Sequence, residues 1–332
     1  MRIYTHSWQE IDAVYEQIKF SWLWQIQHNS NQRKLLEYVD DGIRQYQELR
    51  GFWQDELWWH EYILNQSTIS TSDAVKATLL NNLAGVYLDI GNLAQAVEFL
   101  EDVLKIDRST GDIAAMSITI NNLGMVYHAL GDRQQALAYL EQALPIHRQV
   151  GNRTMEATTL TNIGLVYDAL GDKQGALAYY EQALPIHRQV GNRTMEATTL
   201  NNIGSVYDAL GDKQGALAYY EQALPLFRQV GDKGGEATTL NNIGLVYDAL
   251  GDKQGALAYY EQALPLLRQV GDRWVESITC YNMAMVYRSK GDLAMAEQWL
   301  MRRVELDEAI GHLDLASDRA MLEQVRQEQQ AG

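Results

Sequence analysis

Apolar positions in this chain recur at helical intervals, in blocks of about twenty residues that end at glycine. In one block Leu160, Ile163, Gly164 and Tyr167 share a stripe, and in the next Ala176, Tyr180, Ala183 and Leu184 share another. Spacings of three and four place side chains on one face of an α-helix, whereas a strand would alternate them. The blocks stop at Gly91, Gly131, Gly171, Gly211, Gly251 and Gly291, and halfway between at Gly111, Gly151, Gly191, Gly231, Gly271 and Gly311. Nearly all of these glycines are followed by Asp or Asn. Glycine takes the left-handed backbone that ends a helix, and the Asp or Asn caps the first free N–H groups of the next one. A stop and restart every twenty residues predicts antiparallel helix pairs with a forty-residue repeat.

Gly51 extends the first glycine series, giving seven expected pairs over residues 31–310, the first of them divergent. Residues 1–30 read as an N-terminal capping helix rich in tryptophan, with Trp8, Ile11, Tyr15, Ile18 and Trp22 on one face. Residues 311–332 read as a C-terminal capping helix. Each pair exposes an apolar flank unless another pair stacks on it, so the pattern predicts an all-α solenoid. Pro145, Pro185, Pro225 and Pro265 fall inside second helices. Each lacks the N–H for the carbonyl four residues back, which predicts a kink rather than a helix end.

The run Leu160-x2-Ile163-Gly164-x2-Tyr167, followed by Ala176-x3-Tyr180-x2-Ala183, resembles the tetratricopeptide signature, with a forty-residue period similar to kinesin light chains and bacterial relatives. The resemblance is strong over residues 72–310 and implies a right-handed superhelical array that binds protein or peptide. It departs at the family's proline near the end of the second helix, where Arg148, Arg188, Arg228 and Arg268 stand. The stretch from Tyr46 to Trp53, with Trp58 and Trp59 after it, resembles the first repeat of the sensor arms of STAND-class ATPases.

Charge and cysteine content narrow the function classes. The 27 Lys and Arg against 43 Asp and Glu give a net charge of −16, which repels nucleic acid and anionic membranes. Cys280 is the single cysteine, so no intrachain disulfide can form. The first ten residues turn polar too early for a secretory leader, and no apolar run spans a bilayer. These features predict a cytoplasmic protein. No catalytic motif, cofactor motif or metal-ligand spacing is present, so the chain is expected to be no enzyme and to need no cofactor. His147 and His187 hold equivalent positions, but Phe227 and Leu267 follow in the same series, which favours packing over metal binding.

The candidate binding residues form a periodic series: Asn82, Asn122, Asn162, Asn202, Asn242 and Asn282. Asparagine is a poor helix former, yet it recurs mid-helix in every well-formed repeat. The tetratricopeptide resemblance implies that this position faces a concave groove and bonds the backbone of an extended peptide, for which an amide offers both donor and acceptor. The same amides could instead bridge neighbouring helices, or persist through recent duplication. Residues 147–186 and 187–226 differ only at Thr161/Asn201, Leu165/Ser205 and Ile186/Leu226. Helical spacing places Thr158, Leu165 and Ala169 beside Asn162, and Thr198, Ser205 and Ala209 beside Asn202. Asp168, Asp208 and Asp248 form an expected negative edge. The expected partner is a neutral or basic protein segment, with self-association of the solenoid a further option. An alternative is a ligand-sensing regulator, of STAND-arm or Rap-like type, with the Trp-rich N-terminus as its effector surface.

Overall fold

The computed structural model describes residues 73–310 and 314–331, and these form thirteen α-helices with no strand among them. The expected N-terminal helix and the pair around Gly51 lie outside the described residues. The chain divides into two compact units at Gly111. In the first, α1 (Asp73–Asp89) pairs with α2 (Leu93–Thr110). The second contains α3 (Ile113–Ala129), α4 (Arg133–Gln149), α5 (Arg153–Ala169), α6 (Lys173–Val190), α7 (Arg193–Ala209), α8 (Lys213–Val230), α9 (Lys233–Ala249), α10 (Lys253–Val270), α11 (Arg273–Ser289), α12 (Leu293–Ile310) and α13 (Leu315–Ala331). Odd-numbered helices up to α11 open a pair, and even-numbered helices close it.

Helix boundaries follow the glycine rule. Gly171 and Gly191 have φ of +84° and +72°, and the other turn glycines from Gly91 to Gly291 are left-handed too. Asn152 Oδ1 accepts from Met155 N at 3.1 Å and Asp172 Oδ1 from Gly175 N at 2.9 Å. Each cap answers one of the first orphan N–H groups of its helix. The helices α4, α6, α8 and α10 run on through Pro145, Pro185, Pro225 and Pro265 without ending there. All four prolines are exposed, so the carbonyl that each ring deprives of a helical donor can turn to water.

Within the second unit several cores are shared by three successive helices. Ala136 and Leu140 of α4, Leu160 and Ile163 of α5, and Ala183 and Ile186 of α6 form one buried cluster. The next is built by Leu177 and Tyr180 of α6, Leu200 and Ile203 of α7, and Ala223 and Phe227 of α8. No pair could bury its apolar surface alone, which is why the array propagates. A close approach sets the spacing inside each pair: a Cβ on Gly164 would sit 2.5 Å from Tyr180 Cε1, so the ring needs a glycine beneath it. Tyr167 and Tyr179 stack beside this contact at 5.3 Å between centroids, as do Tyr207 and Tyr219, and Tyr247 and Tyr259, at 5.2 Å.

The stack closes on α13. Leu322 and Val325 bury against Ala296 and Leu300 of α12. Arg303 of α12 lies over the Tyr281 ring at 4.4 Å and pairs with Asp318 of α13 at 2.6 Å. Arg288 of α11 reaches Glu328 with both Nε and Nη2. Cys280 is buried, and burial pushes its thiol up to about 12, consistent with a packing role.

Candidate functional site

The opening helices of successive pairs in the second unit touch one another, α3 to α5, α5 to α7, α7 to α9 and α9 to α11. Their contact is polar and periodic. Asn121 Oδ1 accepts from Thr159 Oγ1 at 3.0 Å and from Asn162 Nδ2 at 3.2 Å. Asn201 Oδ1 accepts from Thr239 at 3.1 Å and Asn242 at 3.3 Å. Asn241 Oδ1 accepts from Thr279 at 3.1 Å and Asn282 at 3.2 Å. One amide carbonyl thus holds a hydroxyl and an amide of the following repeat, forty residues further on. Two hydrogen bonds per junction between neutral groups contribute roughly 1 kcal/mol each.

The predicted series therefore has a second neighbour that sequence reading passed over. Asn121, Asn201 and Asn241 directly precede Asn122, Asn202 and Asn242, and the doubled asparagine was the signal. The first of each doublet accepts across the junction, while Asn162, Asn242 and Asn282 donate to it. These three amides are consequently fixed in orientation by the preceding helix. Asn162 is buried, whereas Asn82, Asn122, Asn202, Asn242 and Asn282 are half-buried. Asn82 lies on α1 in the first unit and the other five lie in the second.

Thr158 and Thr198 are half-buried, and their hydroxyls donate back to Thr154 O and Thr194 O at 3.0 Å. Leu165 is half-buried, Ser205 is exposed, and Leu245 is 38% exposed. The acidic edge differs from expectation. Lys173, Lys213 and Lys253 each pair with Asp168, Asp208 and Asp248 respectively at 2.6 Å. Each carboxylate carries its own cation from the next helix, so the edge is a row of neutralised pairs.

A further ladder was not anticipated. Glu156, Glu196, Glu236 and Glu276 are buried at the starts of α5, α7, α9 and α11. Arg148, Arg188, Arg228 and Arg268 reach back to them at 2.8–3.0 Å. These are the arginines that replace the proline of the tetratricopeptide signature, so the departure has a structural use. Burial pushes Glu196 up, but hydrogen bonds and charge from Arg188 and Arg193 outweigh it and hold the carboxyl below its ordinary value. Glu236 behaves alike with Arg228 and Lys233.

His147 and His187 are fully buried, bonded to Ser117 Oγ at 3.1 Å and Thr161 Oγ1 at 3.2 Å. Burial holds both imidazoles below their ordinary value. Among the described residues no group of His, Cys, Asp and Glu could hold a metal ion, and no helix is long and apolar enough to cross a membrane.

Tetratricopeptide repeat models match residues 114–189, 175–229 and 195–269, and further ones match 77–108 and 278–310. No curated protein matches the chain. Among solved structures it is similar to BtubC (BKLC) from P. vanneervenii, at 24% identity and a TM-score of 0.56 over 67% of this chain and 91% of that one. It is also similar to a Rap protein complexed with competence and sporulation factor, at 14% identity and a TM-score of 0.61 over 97% of this chain and 99% of that one. A STAND protein with a tetratricopeptide repeat sensor from Pyrococcus horikoshii gives 18% identity and a TM-score of 0.62; the match covers 96% of this chain and half of that one. At these identities the likeness is one of fold. The repeat models together cover more than half of the sequence, and the chain belongs to the tetratricopeptide-repeat family.

Proposed function

We propose that this protein is a non-catalytic scaffold that holds an extended segment of a partner protein along the face carrying Asn122, Asn162, Asn202, Asn242 and Asn282. The observation that carries this reading is the asparagine ladder itself. It fixes three amides of the row, Asn162, Asn242 and Asn282, in orientation, with small or aliphatic side chains such as Thr158, Leu165 and Thr198 in the same series. An amide held in one orientation binds a peptide group at less entropic cost than a mobile one. The Asp168–Lys173 type of pair leaves little net charge at the edge, so the neutral character of the face favours an uncharged segment. The net charge of −16 adds a long-range preference for basic partners, expressed in encounter rate more than in final affinity.

The Rap structure bound to competence and sporulation factor is a precedent in fold for the sensing alternative. Its proposed effector surface, the Trp-rich N-terminus, lies outside the described residues. The test is affinity capture from the native cell, followed by titration of the captured partner against wild type and the Asn162→Ala/Asn202→Ala double variant. Affinity about tenfold weaker or more, with modest salt dependence, is expected. Unchanged affinity in a folded variant overturns the role of the ladder.

A further inference from the structure

The ladder is interrupted at one junction. Position 161 carries threonine where Asn121, Asn201 and Asn241 stand in other repeats. Thr161 Oγ1 is engaged with Ala157 O at 3.1 Å, His187 Nε2 at 3.2 Å and Thr199 Oγ1 at 3.2 Å. It thus replaces one contact of the missing amide, that to the following threonine, but not the other. Asn202 Nδ2, the counterpart of the donors on Asn162, Asn242 and Asn282, has no hydrogen-bond partner in the protein although it is shielded from solvent.

The side chain one helical turn further along α7 differs too. Ser205 is exposed where the flanking repeats carry Leu165 and Leu245, and it stands beside the Tyr220 hydroxyl. Of the three differences between residues 147–186 and 187–226, Thr161/Asn201 and Leu165/Ser205 therefore place Thr161 and Ser205 on either side of Asn202. Two otherwise near-identical copies diverge around a single amide.

We infer that Asn202, with Ser205, forms the polar specificity subsite of this face and takes the carboxamide of an Asn or Gln side chain in the bound segment. The inference rests on the groove reading given above. A donor without a partner in a shielded place is costly, and the amide of Asn202 is free to turn about its terminal torsion because no neighbouring helix anchors it. Turned outward, it donates to the ligand carbonyl, and the Ser205 hydroxyl accepts from the ligand N–H. The flanking positions, Leu165 and Leu245, contact apolar side chains instead. A carboxylate could also accept from Asn202 and Ser205, but it is opposed by the protein's net charge of −16.

Two variants test this: Thr161→Asn, which supplies the acceptor that other junctions have, and Ser205→Leu. Each is screened with wild type against an array of immobilised random twelve-residue peptides. Wild type is expected to capture peptides enriched in Asn or Gln at one position. Both variants should bind those peptides about tenfold more weakly and lose the enrichment. In parallel, the side-chain amide protons of Asn202 are followed by NMR, identified by their loss in Asn202→Ala. They should exchange faster than those of Asn162 in wild type and become protected in Thr161→Asn. Capture of no peptide by wild type overturns the groove reading, and this inference with it. Capture with an unchanged preference in both variants overturns the inference alone. So does an Asn202 amide already as protected as that of Asn162.

Discussion

Arg188 Nε lies 2.9 Å from Glu196 Oε1 across the turn at Gly191 and ties the end of α6 to the buried start of α7. Arg193 shares the same carboxylate at 2.6 Å. The arginines are about half exposed while the glutamate is not, so the pair is worth less than a fully buried one and more than a surface pair. Glu196→Gln should lower stability by about 1–2 kcal/mol, and a double-mutant cycle with Arg188→Ala should show coupling near 1 kcal/mol. Chemical denaturation measures both; additive effects would mean that the contact carries no energy.

The same glutamates set an acid limit. Glu196 and Glu236 titrate lower in the folded state than in the unfolded one. Their contribution is therefore complete above the unfolded carboxyl value of about 4.3 and is lost as pH falls through the folded value. Melting temperature should drop over that range in wild type, and less steeply in Glu196→Gln/Glu236→Gln.

His147 and His187 act at milder pH. Both are buried neutral with imidazoles held down, so below about pH 6.5 the unfolded chain binds protons that the folded chain resists. Stability should fall as pH drops from about 6.5 toward 5. Leucine is already accommodated at the equivalent position, Leu267. His147→Leu/His187→Leu should therefore flatten this dependence while leaving stability at pH 8 within about 1 kcal/mol. An unaltered slope would show that other groups are responsible.

Two glycines should respond in opposite directions to alanine. Gly164→Ala forces its methyl against the Tyr180 ring, 2.5 Å away, and should destabilise by about 1–3 kcal/mol despite the better helix propensity. At Gly234 the nearest atom to a new Cβ is Asp232 Oδ1 at 3.6 Å, an ordinary contact. Gly234→Ala should stabilise by up to about 1 kcal/mol. Thermal melts of the two variants side by side decide the matter.

Asn162 and Asn202 should separate stability from binding. The sequence alone suggests that alanine at either position leaves stability intact, because alanine is the better helix former. The structure changes this for Asn162, whose amide bonds Asn121; Asn162→Ala should cost about 1 kcal/mol. Asn202→Ala removes a donor that has no partner in the protein and should cost nothing, or raise the melting temperature slightly. Equal losses at both positions would refute the difference drawn between the two amides.

Sequence by itself determined the described helix pairs, their boundaries and the stripes they bury. Each boundary is a local event: a left-handed glycine such as Gly191 and the cap of Asn192 act within four residues, so neither needs the rest of the fold. Gly164 and Tyr180 were both legible as members of buried stripes, but that the ring lies directly over the glycine was set by the packing of α5 against α6. What only the tertiary structure decided lies between helices. That Asn121 receives Asn162, that Lys173 neutralises Asp168, and that Arg188 reaches Glu196 depend on how adjacent helices are rotated and shifted against each other. A side-chain hydrogen bond forms only within about 0.5 Å of the right separation, finer than any periodicity fixes. The Thr161 substitution was visible in the sequence as one difference between two copies. Its consequence, an Asn202 amide without a partner, became visible only once the packing of α5 against α7 had set which atoms could meet.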